Sequence, residues 1–253
     1  MCALKILYPH DYFNEKKTEE DFQKEHDVMS VYFSSGVLKT NHINEGDNVL
    51  YRGWMLNREE YEDMNNLIKK KGARLLIPYQ AYESNHYFEG WYSTVKSHSM
   101  ESVVFKDKEE MFKNLPGWSS YFIKDAVKSL TTSKGSIAKN ESEIKEILTE
   151  IEKYRGVERY IVLRKVIELV PDTEKRYFCV KGKVFSSLEE SIPDKVKDIG
   201  NLLKDRLFVS IDTCEDVKGK IWLIEIGDGQ VSDLKEWKPE IFMKVIQEID
   251  TTI

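Results

Sequence analysis

Short apolar runs alternate with amphipathic segments over residues 1–115 of the chain. The run ALKILY before Pro9 is typical of a buried first strand, because it is short and almost entirely apolar. Residues 58–71 carry apolar side chains at helical spacing, and Gly72 follows where a helix commonly ends. The pattern also predicts a helix at 18–29 and strands at 49–51 and 75–77. Strands that alternate with helices favour a small α/β domain with a mainly parallel sheet.

After Pro116 and Gly117 the pattern changes, and short β-rich runs become frequent. Residues 142–154 predict an amphipathic helix, while Lys181-Gly182 and Lys218-Gly219 predict hairpin turns. The other predicted strands cover 121–127, 161–169, 176–180, 183–185, 207–212 and 221–226, and helices cover 192–203 and 240–249. We therefore predict an α/β domain at 1–115 and an α+β domain with a mainly antiparallel sheet at 116–253.

The composition is that of a soluble globular protein. Of 253 residues, 41% are apolar and 32% are charged, and 38 basic against 44 acidic side chains leave a net charge of −6. This acidic balance provides no global field that attracts nucleic acid, and no apolar run is long enough to cross a bilayer. Cys2, Cys179 and Cys214 lack the spacing of a disulfide framework or a zinc site. We expect a cytoplasmic protein that does not bind membranes and has no non-specific affinity for nucleic acid.

Three carboxylates lie where the last two predicted strands end. Asp212 closes one strand, and Glu225 and Asp228 follow in WLIEIGDGQVS. If the two strands pair, these oxygen ligands converge in an arrangement that suits Mg²⁺. The alternative is a solvated strand end with turn-forming Asp and Gly residues. Glu225 argues for the metal, because a carboxylate among apolar neighbours needs a partner or a metal.

Basic side chains interrupt two apolar predicted strands. Lys124 lies within SYFIKDAV, and Arg164 and Lys165 lie within YIVLRKVIEL. Buried cations commonly meet carboxylates or a bound anion, although an outward-facing strand position would also explain each of them. The loop TTSKGS at 131–136, which contains Lys134, has the composition of a phosphate-binding loop. It lacks Walker spacing, and the chain has no Rossmann, zinc hydrolase, serine hydrolase or kinase motif.

The order of these elements resembles the ATP-grasp superfamily. A strand with Lys124 is followed by a small-residue loop, a helix, the linker strand IVLRKVIEL, the strand EKRYFCVKGKVF, an Asp strand and the ending WLIEIGDGQVS. The resemblance covers residues 118–250 and is closest to the compact clade named for a conserved arginine and two lysines. The upstream segment with YRGWM resembles the pre-ATP-grasp domain that usually precedes such a domain.

The resemblance implies a nucleotide site. Lys124 would contact the phosphates of ATP, and the loop with Lys134 would close over them. The linker strand would lie beneath adenine, with Arg164 or Lys165 and Glu168 near the base and the ribose.

The resemblance also implies residues for catalysis and for the metal. Arg176 would stabilise charge on the transferred phosphoryl group, and Asp212 and Glu225 would hold Mg²⁺. ATP-grasp enzymes commonly carry Asn two residues after the Glu, whereas this chain has Gly227 followed by Asp228. A second metal site is therefore expected only if Asp228 substitutes for that Asn.

The implied activity is an ATP- and Mg²⁺-dependent, ADP-forming ligation of a carboxylate to an amine through an acyl phosphate. The carboxylate would belong to an amino acid, a peptide or another small molecule. Arg52 is a candidate for gripping the substrate carboxylate with two hydrogen bonds. His86 is a second candidate, although a lone histidine is more often structural.

Two other functions stay open. Gly227 favours a nucleotide-binding regulator that has lost turnover. A nucleic-acid-modifying or end-joining ligase is the other, and the acidic balance and the missing Gly after Lys124-Asp125-Ala126 argue against it.

Overall fold

The computed structural model describes residues 4–9, 28–32, 37–39, 43–127, 135–154, 159–188 and 191–252. Contacts divide the chain into two compact units. Unit 1 consists of Met1–Asn85, Arg176–Ile211 and Gly227–Ile253, and unit 2 consists of His86–Lys175 and Asp212–Ile226. The boundary between residues 115 and 116 rests on sequence pattern, not on compactness, and it stays a prediction.

Unit 1 contains a five-stranded sheet in the order β3-β2-β1-β4-β5. Its strands are β1 (Leu4–Pro9), β2 (Val28–Tyr32), β3 (Val37–Lys39), β4 (Asn48–Tyr51) and β5 (Arg74–Leu75). β1 pairs in parallel with β2 and β4, and β4 pairs in parallel with β5, while β3 runs antiparallel to β2. The mainly parallel sheet predicted for this part of the chain is confirmed.

Helix α1 (Arg58–Lys70) follows this sheet's fourth strand. It begins after Asn57, whose side chain accepts a hydrogen bond from Glu60 N–H while the Glu60 carboxylate accepts one from Asn57 N–H. Its buried side chains are Tyr61, Met64 and Ile68. The helix ends before Gly72, which has a φ of 76° that glycine adopts without strain, so the predicted helix and its end are confirmed.

Unit 2 contains a four-stranded sheet in the order β6-β9-β7-β8. Its strands are β6 (Ser102–Phe105), β7 (Tyr121–Asp125), β8 (Ile137–Ala138) and β9 (Ile161–Lys165), and all of their pairings are antiparallel. Because side chains alternate across a strand, one face of β7 and β9 carries Ile123 and Leu163 into the core of this unit. The other face carries Lys124 and Arg164.

A third sheet has the order β11-β10-β12-β13. Its strands are β10 (Leu169–Val180), β11 (Lys183–Ser186), β12 (Phe208–Asp216) and β13 (Ile221–Asp228). The predicted turn at Lys181-Gly182 joins β10 to its antiparallel partner β11. β10, β12 and β13 each begin in one unit and end in the other. The mainly antiparallel second half of the chain is confirmed.

The remaining helices among the described residues are α2 (Tyr79–His86), α3 (Phe88–Val95), α4 (Lys108–Lys113), α5 (Glu141–Tyr154), α6 (Asp194–Leu202) and α7 (Pro239–Thr252), with a 3₁₀ turn at Lys96–His98. The last three match predicted helices, whereas α2, α3 and α4 were not predicted because they are too short for a clear helical repeat. No helix in the described part of the chain is long and apolar enough to span a membrane.

Two predicted elements need correction. Val28 and Met29 lie in β2, and not in the predicted helix at 18–29, the rest of which is outside the described residues. The predicted strand at 161–169 is interrupted at 166–168, because β9 ends at Lys165 and β10 begins at Leu169. The interruption forms a short linker between two different sheets. The apolar pattern runs through it without a break and therefore does not predict it.

Candidate functional site

A cavity of about 340 Å³ lies within unit 2. Its walls are mostly apolar and include Met100, Phe122, Ile137, Val166, Ile167, Leu169 and Ile224. Four charged side chains also line it, namely Lys124, Arg164, Lys165 and Glu225. Apolar walls with a few converging charged groups are the usual form of a small-molecule site.

Lys124 and Glu225 form an ion pair at this cavity. The distance from Lys124 Nζ to Glu225 Oε1 is 2.6 Å, and the side chains are 4% and 36% exposed, respectively. Burial lowers the pKa of Lys124, and the nearby Glu225 carboxylate opposes that shift. The pair joins β7 to β13, whose residues are 101 positions apart in sequence.

Arg164 is the second buried cation of the cavity and is only 3% exposed. Its Nη1 donates a hydrogen bond of 2.8 Å to the carbonyl of Ile224. Its Nε and Nη2 are buried and have no hydrogen-bond partner among the described residues. Burial lowers the pKa of this guanidinium, while Glu225 raises it. Buried donors without partners are costly, so this edge of Arg164 is suited to an acceptor on a ligand.

Both cations also lie over one aromatic ring, that of Phe88 in α3. Lys124 Nζ is 5.6 Å from the ring centroid, and the Arg164 guanidinium carbon is 5.7 Å from it. The negative face of an aromatic ring attracts a cation, so Phe88 helps to hold both charges in place. Phe88 is not among the residues that the sequence predicts for the site, because it lies in an aromatic-rich segment without a chemical motif.

The rim of the cavity is polar and exposed. Lys165 lies 3.7 Å from the carboxylate of Glu101, and both side chains are largely in solvent. Glu168, the last residue of the linker at 166–168, is exposed as well. The structure therefore separates neighbouring predicted residues, because Arg164 is buried in the cavity while Lys165 and Glu168 lie at its edge or in solvent.

Asp228 belongs to unit 1 and lies in a different environment from Glu225. It is fully buried, and its Oδ2 accepts a hydrogen bond of 2.8 Å from Asn85 Nδ2. Its Oδ1 accepts two hydrogen bonds of 3.0 Å from Gln230, one from the main-chain N–H and one from Nε2. Burial raises the pKa of Asp228 to about 6, although these hydrogen bonds and Arg206 act in the opposite direction.

Comparison with known proteins identifies the family. The sequence model for the ATP-grasp domain, family 3 of the clade named for one arginine and two lysines, matches residues 116–246, which is just over half of the chain. The chain belongs to this family. The match begins at Pro116, and no curated protein sequence is significantly similar to the chain.

Solved structures support the ATP-grasp fold. D-alanyl-alanine synthetase A from Vibrio cholerae O1 biovar eltor is similar over 99% of this chain and 98% of its own, with 13% identity and a TM-score of 0.64. D-cycloserine synthetase DcsG matches over 98% and 99%, with 8% identity and a TM-score of 0.64. The ATP-grasp ligase PsnB, complexed with a minimal precursor, matches over the whole of both chains, with 12% identity and a TM-score of 0.62. At these identities the likeness shows the fold alone.

Within this ATP-grasp fold, Arg176 lies in unit 1 and does not line the cavity of unit 2. Its Nη1 donates a hydrogen bond of 2.7 Å to the carbonyl of Asp233. Its main-chain N–H donates to the Glu236 carboxylate, and its carbonyl accepts from the indole of Trp237. The half-exposed side chain is thus fixed against the segment that follows β13.

The predicted substrate contacts Arg52 and His86 differ in their burial and in their contacts with neighbouring residues. Arg52 is 1% exposed, and its Nη1 donates hydrogen bonds to the carbonyls of Gly229, Gln230 and Ser232 within unit 1. This geometry supports the loop after β13 more directly than it supports a grip on a substrate. His86 ends α2, is half-buried, and packs edge-on against Tyr87.

The predicted phosphate-binding loop lies mostly outside the described residues, and so does Lys134. Gly135 and Ser136 are described, and Gly135 has a φ of 75°. The carbonyl of Ser136 accepts a hydrogen bond of 2.7 Å from Ile123 N–H on β7. The end of the loop is therefore attached to the strand that carries Lys124.

The predicted Mg²⁺ ligands are not gathered into one cluster. Among the described residues, no group of three or more His, Cys, Asp or Glu side chains is placed to hold a metal. Asp212 is buried on β12, and Glu225 lines the cavity. A Mg²⁺ ion that takes one or two carboxylates and completes its shell with phosphate oxygens and water fits Glu225, whose side chain is partly accessible. Asp228 fits poorly, because both of its oxygens already accept hydrogen bonds.

Proposed function

We propose that the chain is an ATP- and Mg²⁺-dependent ligase that joins a carboxylate to an amine through an acyl phosphate, releasing ADP. The observation that carries this proposal is the cavity of unit 2, where two buried cations and one carboxylate meet apolar walls. Apolar walls suit adenine, and buried cations suit phosphates. Family membership supports the same occupant. A cytoplasmic location is part of the proposal, because ATP and free amino acids are available there.

The buried cations are assigned to the phosphates of ATP. Lys124 provides a point charge, and Arg164 provides the edge formed by Nε and Nη2. Lys165 and Glu168 are assigned to the base and ribose end, since the linker at 166–168 borders the apolar part of the cavity. Lys134 is assigned to the loop that closes over the phosphates, as in the family resemblance.

The carboxylates are assigned to Mg²⁺, with Glu225 as the principal ligand and Asp212 as the second. When bound, the ion neutralises negative charge on the reacting phosphates. Phosphoryl transfer needs positioning and fixed charge more than it needs a nucleophilic side chain. The proposal therefore requires no Ser, Cys or His nucleophile, and Arg176 is assigned to charge stabilisation on the acyl phosphate.

The names of two structural neighbours suggest a substrate class. PsnB has been crystallised with a precursor peptide, and the D-alanyl-alanine synthetase is named for a dipeptide product. Free amino acids and short peptides are therefore the carboxylates and amines to test first. Arg52 and His86 remain the proposed substrate contacts, and for Arg52 the hydrogen bonds to main-chain carbonyls weaken that assignment.

A nucleotide-binding regulator is the second candidate, and Gly227 favours it. A Cβ at this position would lie 2.7 Å from Ser210 Oγ and 2.9 Å from Ser232 Oγ, both in unit 1. The Asn that commonly occupies this position would therefore require those hydroxyls to move. A chain that cannot bind a second Mg²⁺ in the usual way would bind ATP and transfer its phosphate slowly or not at all.

One experiment separates these candidates. The full chain is incubated with ATP, Mg²⁺ and pooled amino acids and short peptides, and nucleotide products and new amides are identified by mass spectrometry. We expect ADP, phosphate and a new amide to form in equimolar amounts. AMP in place of ADP would contradict the acyl phosphate and favour adenylation. ATP binding by calorimetry without any product from the pools would favour the regulator.

The matched variants are Glu225→Gln and Glu109→Gln. Both remove one carboxylate that lies 2.6 Å from a lysine, but Glu109 pairs with Lys113 on the exposed surface of α4. We expect Glu225→Gln to lose Mg²⁺-dependent product formation and Glu109→Gln to retain it. Full turnover in Glu225→Gln would refute the metal assignment.

A further inference from the structure

Three of the four charged side chains that line the cavity of unit 2 interact without any ligand, namely Lys124, Arg164 and Glu225. Glu225 lies 2.6 Å from the buried Lys124, and its negative charge raises the pKa of the buried Arg164. An uncompensated buried cation is costly, so a carboxylate at this place stabilises the empty cavity. The same carboxylate is the one that the proposed function assigns to Mg²⁺.

Glu225 cannot fill both roles equally well at the same time. A carboxylate oxygen that accepts a short hydrogen bond from Lys124 offers a divalent cation less electron density, and the lysine's positive charge repels the cation. Conversely, a nucleotide without metal brings several negative charges next to Glu225 and must compete with it for Lys124. The conflict disappears when phosphates and metal arrive together, because Lys124 then pairs with phosphate and Glu225 with the metal.

We propose that Glu225 makes the cavity specific for the metal complex of ATP over metal-free ATP, because it is the counter-ion of Lys124 in the empty cavity and is released to Mg²⁺ only when phosphate takes its place. This inference rests on the proposed function for the identity of the ligand. Glu225 thereby gains a second role, because its charge disfavours the binding of metal-free ATP. Neither metal-free ATP nor Mg²⁺ is then expected to bind well without the other.

The test measures affinity and needs no turnover. A non-hydrolysable ATP analogue is titrated into the full chain by calorimetry, once with excess Mg²⁺ and once with EDTA. We expect the wild type to bind the Mg²⁺ complex at least about tenfold more tightly than the metal-free analogue. This ratio corresponds to ~1.4 kcal/mol, and couplings between close charge pairs commonly exceed that energy. Mg²⁺ titrated alone should give no saturable heat at millimolar concentration.

Glu225→Gln gives the decisive result, because the expected changes have opposite signs. The amide keeps the size of the side chain and an oxygen for Lys124 but removes the competing charge. We expect this variant to bind the metal-free analogue roughly fivefold or more tightly than the wild type, and the Mg²⁺ complex more weakly. A residue that only ligates the metal would leave metal-free binding unchanged, and that result would overturn the inference.

Two controls complete the design. Glu109→Gln should match the wild type in all titrations, because its pair with Lys113 is exposed and neither residue lines the cavity. Thermal denaturation establishes that Glu225→Gln is folded. If it is not, equal wild-type affinities with Mg²⁺ and with EDTA would by themselves overturn the inference.

Failure of this inference is distinguishable from failure of the proposed function. A wild type that binds the analogue equally well in both conditions, with Glu225→Gln unchanged, refutes the specificity role and leaves the nucleotide site standing. A wild type that binds the analogue in neither condition refutes the nucleotide site and this inference together.

Discussion

Each unit of the molecule contains a buried charged cluster, and the two clusters are built differently. In unit 2, Lys124, Arg164 and Glu225 surround a cavity, and two nitrogens of Arg164 lack partners among the described residues. In unit 1, both oxygens of Asp228 accept hydrogen bonds from Asn85 and Gln230, with no solvent contact.

The hydrogen bonding of each cluster separates a ligand-binding site from a structural cluster. Glu225 and Asp228 lie in the same strand, β13, and both looked like metal ligands in the sequence. One faces a cavity and pairs with a cation that a ligand can also use, while the other is enclosed by amide donors. A buried polar group whose hydrogen bonds are complete specifies structure, and an incomplete cluster at a cavity specifies a ligand.

The largest effect should come from removing Lys124, one of the two cations of the unit 2 cluster. We expect Lys124→Met to lower nucleotide-dependent turnover by about a thousandfold, as losses of fixed charge at developing phosphate charge commonly do. Stability should change little, because the variant removes a buried cation and leaves a carboxylate that is 36% exposed. Turnover is measured by ADP release, and stability by urea denaturation.

Lys113→Met provides the matched comparison for this variant. It removes a lysine with an equally short carboxylate distance, but on the exposed surface of α4. Its turnover should equal that of the wild type. Similar losses in Lys113→Met and Lys124→Met would mean that the cavity does not hold the phosphates.

The next effect concerns pH and the unit 1 cluster. Because burial raises the pKa of Asp228 to about 6, the folded state holds this proton more tightly than the unfolded state. Its stabilising contribution is therefore complete below the unfolded value near 4 and is lost as the pH rises to about 6, at about 1.4 kcal/mol per pH unit. We expect Asp228→Asn to flatten the dependence of the unfolding free energy on pH across this window.

The same variant tests whether Asp228 is structural while Glu225 binds the metal. If Asp228 is structural, Asp228→Asn should keep Mg²⁺-dependent turnover within about tenfold of the wild type, since an amide retains one acceptor for Gln230. Urea denaturation at several pH values and ADP release are the two measurements. Loss of Mg²⁺ dependence would return Asp228 to the metal site and remove the contrast with Glu225.

The smallest effect should come from the rim. Lys165 is exposed and lies 3.7 Å from Glu101, and exposed ion pairs contribute ~0–1 kcal/mol. We expect Lys165→Met to change nucleotide affinity by less than about fivefold and to leave stability within about 1 kcal/mol. Calorimetric titration checks the affinity. A loss as large as that of Lys124→Met would place Lys165, and not its neighbour Arg164, among the phosphate contacts.

Much of the fold could be predicted because its signals are local. The apolar spacing and Gly72 define α1, and Lys181-Gly182 defines the turn between β10 and β11, since each depends on a few neighbouring residues. The aromatic-rich helices α2 and α3 could not be predicted this way. Phe88 was missed for the same reason, because its meeting with Lys124 and Arg164 depends on tertiary packing.

Residue type and local pattern are enough to identify the charged side chains that need a partner. Lys124, Arg164 and Glu225 each interrupt an apolar run, and a charge in such a run must be compensated wherever it is buried. The order of the elements also determined the resemblance to the ATP-grasp fold. These properties depend on residue type and on short spacing, which the chain carries in any conformation.

The identity of each partner depends on the tertiary fold. Lys124 and Glu225 are 101 positions apart, and strand pairing brings them to 2.6 Å. Asp228 is three positions from Glu225, yet it pairs with the amides of unit 1. The reason is physical: burial and pairing depend on which strands become neighbours, and that long-range choice is absent from the local pattern.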